Sequence, residues 1–306
     1  MLLVFRLFTT VFLIMSLVSC QKKDDAKPIS SSPIMCSAGE VMGPGVIGGK
    51  LLKPEGRIAQ SVVALLSGND QEELSLCTGT LIAPNVVLTA AHCVMNKENR
   101  MLTDGVVLFT NDFMCDVIQK KDKSRARRFE EVIVHPDYDN NHPALGNDLA
   151  MIRFEQSAPQ GFVIMPLAEK YVELTKDRPV YLAGYGKTTE YEIDDESKPM
   201  LRLANVRPSA RIERFGIENS KTSSQLAFDQ SQGESVCAGD SGGPALVMEG
   251  GGLQVIGVAS IVYNQKEDRT RACQDIVIHT SISYYQPWIK KTLKSLLGTE
   301  ARKDTK

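Results

Sequence analysis

From residue 46 onward the chain alternates short apolar runs with turn-rich segments. Residues 61–66, 86–88, 106–109, 132–134, 149–154, 180–183 and 253–261 are rich in Val, Ile and Leu. Each is short for a helix and bounded by turn residues, so each reads as a strand. Between them stand segments such as 67–70 (SGND) and 137–141 (DYDNN), whose Gly, Asn and Asp supply turns. Many short strands with no fixed repeat predict an all-β barrel or sandwich. The end of the chain differs. After Pro287 the apolar residues Ile289, Leu293, Leu296 and Leu297 recur at helical spacing, with Lys290, Lys291 and Lys294 elsewhere on the wheel, which predicts one helix followed by a polar tail over 299–306.

The first residues carry a third pattern. An apolar run over 7–18, broken only by Thr9, Thr10 and Ser16, follows a single charge, Arg6. It is too short to span a bilayer comfortably and has the layout of a cleavable signal peptide over 1–19. Residues 20–45 are polar, rich in Ser, Pro and Gly, and read as a tether or propeptide rather than a folded unit.

Composition narrows the function classes. The 306 residues carry 35 Lys and Arg against 37 Asp and Glu. A formal charge of −2 gives no general attraction to nucleic acid or to an acidic membrane surface. With 42% hydrophobic and 24% charged residues the chain is an ordinary globular protein, long enough for one large or two smaller cores. Seven cysteines leave one outside any intramolecular disulfide scheme. The basic run Lys120, Lys121, Lys123, Arg125, Arg127 and Arg128, opposed by Asp122, reads as a solvated loop, as does the acidic stretch 190–196.

Three segments carry candidate chemistry: Thr89-Ala90-Ala91-His92-Cys93, Asn147-Asp148-Leu149-Ala150 and Gly239-Asp240-Ser241-Gly242-Gly243-Pro244. Supporting them are Cys77-Thr78-Gly79-Thr80-Leu81-Ile82, Gly184-Tyr185-Gly186 and Ser260. On these motifs the chain from Val46 to the last helix, 46–298, resembles the chymotrypsin/trypsin family of serine endopeptidases. The resemblance implies two six-stranded antiparallel β-barrels with a C-terminal helix, and a site in the cleft between the barrels. A serine hydroxyl is a poor nucleophile unless an imidazole takes its proton, and that imidazole needs a buried carboxylate to fix its tautomer and stabilise its charged form. The resemblance thus assigns Ser241 as nucleophile, His92 as general base and then acid, and Asp148 as orienter, with the amides of Gly239 and Ser241 as the oxyanion hole. The 239–243 segment also fits a nucleophile elbow, and Ser241, Asp275, His279 follow the α/β-hydrolase order. An elbow serine opens a helix, however, and Gly242, Gly243 and Pro244 preclude one here. Zinc-protease helix and P-loop motifs are absent from the sequence, so no metal or cofactor is implied.

The same resemblance nominates the disulfides Cys77–Cys93 and Cys237–Cys273, with Cys36–Cys115 left by elimination. Leu17-Val18-Ser19-Cys20 resembles the lipobox of bacterial lipoproteins, which would acylate Cys20 and hold an exported, monomeric enzyme at the cell envelope, secretion being the alternative. Val46-Ile47-Gly48-Gly49 resembles the family's mature start, which implies a zymogen cut between Gly45 and Val46 whose new α-amino group pairs with Asp240. The resemblance places Ser235 at the base of the substrate pocket and Val262 and Val277 on its walls, with Ser260, the serine that supports the catalytic Asp, also in the pocket set. No charge at the base and two valines on the walls imply an elastase-like preference for a small aliphatic residue. The trypsin-like alternative requires Asp275 or Glu234 to reach the pocket.

Overall fold

The computed structural model describes residues 46–68, 75–96, 98–112, 115–116, 120–142, 146–187, 200–209, 217, 219–263 and 273–303. The signal segment, Cys20, Cys36, Gly45 and the acidic stretch 190–196 lie outside these residues. The described residues belong to one unit that takes in 42–69 and 73–306.

Strands β2 (Val62–Ser67), β3 (Ser75–Ala83), β4 (Val86–Thr89), β5 (Gly105–Leu108), β6 (Ala126–Val134) and β7 (Ala150–Phe154) close a barrel in the order β2-β3-β4-β7-β6-β5. Every residue of β4 and β7 is buried, and their near-continuous apolar letters reflect it. The second barrel is built from β8 (Val180–Gly184), β9 (Arg202–Pro208), β10 (Gln225–Asp229), β11 (Pro244–Glu249), β12 (Gly252–Tyr263) and β13 (Ile276–Ser281). It runs β9-β10-β13-β12-β11-β8 and closes through the β8–β9 pairing, while β1 (Lys50–Leu51) adds to the edge of β9. All these ladders are antiparallel. The two six-stranded barrels expected from the resemblance are therefore present.

Several strands are less apolar than the sequence reading required. On β9 the buried positions alternate, with Arg202, Ala204, Val206 and Pro208 inward and Asn205 and Arg207 outward. Strand β10 opens on Gln225 and β13 contains His279, so polar letters sit on core-facing ladders. The C-terminal helix α1 (Gln286–Lys303) starts one residue before Pro287 and runs on to Lys303, into the stretch read as a polar tail. Pro287 suits its first turn, where an amide is unsatisfied in any case. Ile289 and Leu296 are buried in the apolar cluster of the first barrel, which also includes Tyr185, Leu201, Val258 and Ile282 from the second half of the chain. That shared cluster fixes one barrel against the other, and with it the loops at their junction.

Candidate active site

The site assembles from loops that leave strands of both barrels. Strand β4 delivers Thr89 to a single 3₁₀ turn, Ala91–Val94, that carries His92. The residue before β7, Asp148, is fully buried. Its neighbour Asn147 adopts a left-handed backbone at φ 59°. The Tyr285 hydroxyl holds Asn147 from both sides, accepting from its amide at 3.0 Å and donating to its Oδ1 at 2.8 Å. This fixes the turn that points Asp148 at the histidine.

Asp148 is enclosed by donors. Its Oδ1 accepts from the His92 amide at 3.0 Å, and its Oδ2 lies 2.8 Å from His92 Nδ1 and accepts from Ser260 Oγ at 2.6 Å. Thr280 Oγ1 donates to the Asp148 carbonyl at 3.1 Å. Burial alone would raise the Asp148 pKa, but the His92 charge and the hydrogen bonds from His92 and Ser260 outweigh it and hold the carboxylate below its ordinary range. An ionised carboxylate only accepts, so the His92 proton sits on Nδ1 and Nε2 is left as an acceptor. Burial pushes the His92 pKa down, and the charge and hydrogen bond of Asp148 more than reverse that. The histidine keeps 28% of its side-chain surface exposed, open toward the cleft.

Ser241 lies in the tight turn that follows Asp240. The Thr78 amide donates to the Ser241 carbonyl at 2.8 Å, and Cys93 Sγ lies 3.5 Å from the same oxygen. Gly242, at φ 79°, makes the approach possible: a Cβ there would stand 2.0 Å from Thr89 Oγ1 and 2.3 Å from the Thr78 carbonyl oxygen. The turn is thereby pressed against the strand end that leads to His92.

Gly239 has φ 99°, and Thr78 Oγ1 donates to its carbonyl at 2.9 Å, turning that oxygen inward. The amides of Asp240, Gly242 and Gly243 donate to Cys237, Ala259 and Asp240 carbonyls. Among the described residues the amides of Gly239 and Ser241 have no such acceptor, which leaves the alternating pair able to face one oxyanion.

Behind the turn, Asp240 is buried and its carboxylate accepts from the Gly186 amide at 2.7 Å and the Cys237 amide at 2.8 Å. Burial pushes its pKa up to about 7, and the two amides offset this only in part. Gly184 and Gly186 make room for it, since a Cβ on either would stand 2.1 or 2.3 Å from a carboxylate oxygen. Val46 is also fully buried, packed in the core of the second barrel.

The remaining expected residues are distributed as follows. Ser235 is buried at an isolated bridge to Ile47, with no partner for its hydroxyl among the described residues. Val277 is buried, and Val262, directly opposite it across the β12–β13 ladder, is half-buried. Cys77–Cys93 and Cys237–Cys273 are disulfides. Cys115 is disulfide-bonded as well, while its expected partner Cys36 lies outside the described residues. Cys77, His92 and Cys93 cluster closely enough for a metal, but the two sulfurs share a disulfide and offer no thiolate. Within the basic run, Lys120 pairs with Asp116, Arg125 with Asp122, and Arg127 donates to backbone carbonyls of Ser157, Ser124 and Ala126. These contacts correct the expected solvated loop: Lys123–Arg125 form a short 3₁₀ turn, and Arg127 and Arg128 lie on β6, paired with β5. The sequence reading gave Thr78 no role beyond its supporting motif and assigned none to Thr280 or Tyr285, which hold the site through hydroxyls on ordinary strand and turn positions.

Comparison with known proteins agrees with this geometry. The family profile Trypsin matches residues 47–289. Chymotrypsin-like elastase family member 1 of Macaca fascicularis is 30% identical over 223 residues, 72% of this chain and 79% of that protein. Chymotrypsin-like elastase family member 3A of Homo sapiens is 31% identical over 229 residues, 72% of this chain and 78% of its own. Chymase of Cavia porcellus is 29% identical over 253 residues, covering 82% of this chain and 91% of that protein.

Proposed function

This chain belongs to the trypsin family of serine endopeptidases, and on that premise we propose that it cleaves peptide bonds after small aliphatic residues through an acyl-enzyme on Ser241. The observation that carries the chemistry is Asp148, buried and ionised, gripping His92 at both its amide and its ring. His92 Nε2 accepts the Ser241 hydroxyl proton as the oxygen attacks the carbonyl carbon. The resulting imidazolium, stabilised by Asp148, gives that proton to the leaving amine. The amides of Gly239 and Ser241 receive the negative oxygen of the tetrahedral intermediate, and water then takes the amine's place to release the acid.

The proposal extends to maturation. In the intact chain Val46 holds φ 43°, a left-handed conformation that costs a β-branched residue about 1–3 kcal/mol. That torsion is defined by the Gly45 carbonyl carbon and ceases to exist once the Gly45–Val46 bond is cut. Cleavage there would release the strain and create an ammonium able to pair with Asp240, a buried carboxylate with no cationic partner among the described residues, which supports a zymogen activated at this bond. Cys20 is proposed as the acylation site that keeps the exported enzyme at the membrane, and the substrates as proteins or peptides.

For specificity, the support is the uncharged Ser235 and the facing pair Val262 and Val277. A substrate cation entering a site without a counter-charge would not recover its desolvation cost. Glu234, one of the two residues that a basic preference would need, accepts a hydrogen bond from the Asn205 amide on the barrel exterior. A peptide-library assay on the matured enzyme, with Ser241→Ala as control, tests the reading. Dominant cleavage after Ala or Val, absent in the control, is expected; dominant cleavage after Arg or Lys would replace it with a trypsin-like preference served by Asp275.

A further inference from the structure

Arg202 is the charged residue on the inward face of β9, in phase with Ala204 and Val206, and only 9% of it is exposed. Its Nη1 donates to the Gly49 carbonyl at 2.9 Å, while Nε and Nη2 have no partner among the described residues. A guanidinium buried on a single hydrogen bond is an expensive arrangement, and burial lowers its pKa from the ordinary value. The one acceptor it does engage belongs to the turn 46–49. There the Gly49 amide donates to the Val46 carbonyl at 2.8 Å, so Arg202 is linked to Val46 through one hydrogen-bonded turn.

The other ties of that turn are backbone contacts. The Ser235 amide donates to the Ile47 carbonyl at 2.9 Å, and Gly48 lies so close to Gly233 that a Cβ would stand 2.2 Å from its carbonyl oxygen. Opposite Arg202 on β8 is Gly184, and the space that its missing side chain leaves is filled by the Asp240 carboxylate. Arg202, which meets the turn, and the Asp240 carboxylate thus lie at the same end of the second barrel, at the paired positions of β9 and β8.

We propose that Arg202 is a positioning residue for the matured site: it holds the Gly49 carbonyl, and through the turn it keeps the freed α-amino group of Val46 docked at Asp240. This rests on the proposed cut at Gly45–Val46. The docked ammonium exchanges with an undocked amine, and only the docked form keeps the Gly239–Ser241 turn in shape. Activity is then lost at alkaline pH with a midpoint above the ordinary α-amino value of about 7.7, displaced by the strength of docking. Among the described residues the other ionisable groups next to this turn or to its proposed docking partner are Asp240 itself, Glu234 next to Ser235, and Lys50, exposed on β1. All stay unchanged when Arg202 alone is altered. A charge-assisted hydrogen bond lost at Gly49 weakens docking by about tenfold, a shift of about one pH unit.

The test is kcat/KM against pH for wild type, Arg202→Met and Arg202→Lys, each matured and its N-terminus sequenced. The expected order of alkaline midpoints is wild type highest, Lys between, and Met lower by about one unit, with rates near pH 7 similar in all three. An unmoved midpoint in Arg202→Met, or a loss equal at every pH, overturns the proposal. If the Met variant does not fold, a Lys variant with the wild-type midpoint overturns it. A mature N-terminus other than Val46 removes the activation reading, and the role of Arg202 with it; Val46 with unmoved midpoints removes only the latter.

Discussion

Asp148 governs which protonation states the site visits. Its charge and hydrogen bond raise the His92 pKa above the ordinary imidazole value against the opposing effect of burial. The general base must be neutral, so kcat/KM should rise with pH through a midpoint above the ordinary histidine value of about 6.5. Asp148→Asn removes the charge and leaves the burial, which lowers the midpoint and, by favouring the wrong tautomer, reduces kcat by about 10⁴. A pH–rate profile of the variant checks both effects; an unshifted acid limb would mean that Asp148 does not set the His92 titration. At this scale the pairing of His92 with Asp148 was legible because both sit in short motifs, and Ser260 through the family resemblance. The roles of Thr78, Thr280 and Tyr285 were not, because a hydroxyl on a strand or turn is ordinary until the fold aims it at a carbonyl or amide.

The elements place these residues by close backbone approach rather than by side-chain packing. Gly242 shows this best, combining φ 79° with contact distances that leave no space for a methyl group. Gly251 shares the left-handed backbone at φ 82° but faces open space, with nothing within 4 Å of a Cβ. Gly251→Ala should therefore cost only the conformational penalty, about 1–2 kcal/mol, with activity kept. Gly242→Ala adds a steric conflict with Thr89 and Thr78 and should abolish turnover as well as lower the melting temperature further. Thermal unfolding with parallel assays distinguishes the two, and comparable losses would contradict the role given to the Thr89 contact. Strands β2, β4, β5, β7, β8 and β12 and the end of β6 were readable as short apolar runs, and the helix from its periodicity. Strands β9, β10 and β13 were obscured by Arg202, Gln225 and His279, polar residues on buried ladders whose tolerance depends on tertiary surroundings.

At the scale of the whole molecule, the buried Asp240 makes stability depend on pH, and the proposed cut at Gly45–Val46 would change that dependence. In the intact chain Asp240 has its pKa raised to about 7, above the unfolded value of about 3.9. The unfolded chain then loses this proton first, so the Asp240 contribution is fully present below about pH 4 and is lost as pH rises through about 7. A Val46 ammonium would lower the folded-state pKa and remove that loss. The intact Ser241→Ala chain should accordingly lose melting temperature between about pH 4 and 8 relative to the same variant cut at Gly45–Val46, and equal pH profiles would contradict the proposed ion pair. The two-barrel architecture was legible only through the motifs, since the strand pattern alone equally admitted a sandwich. The elastase-like preference rested on residue types alone at Ser235, Val262 and Val277, because the sequence carries no information on how those side chains are spaced around a substrate.

The central claim is that His92, polarised by Asp148, activates Ser241 as a nucleophile. Covalent labelling with a fluorophosphonate, located by peptide mass spectrometry on the matured protein, tests it most directly. A single adduct on Ser241, absent from Ser241→Ala and strongly slowed in His92→Ala, is the predicted result. Correctly matured protein that stays unlabelled, or an adduct formed on a different residue, would contradict it.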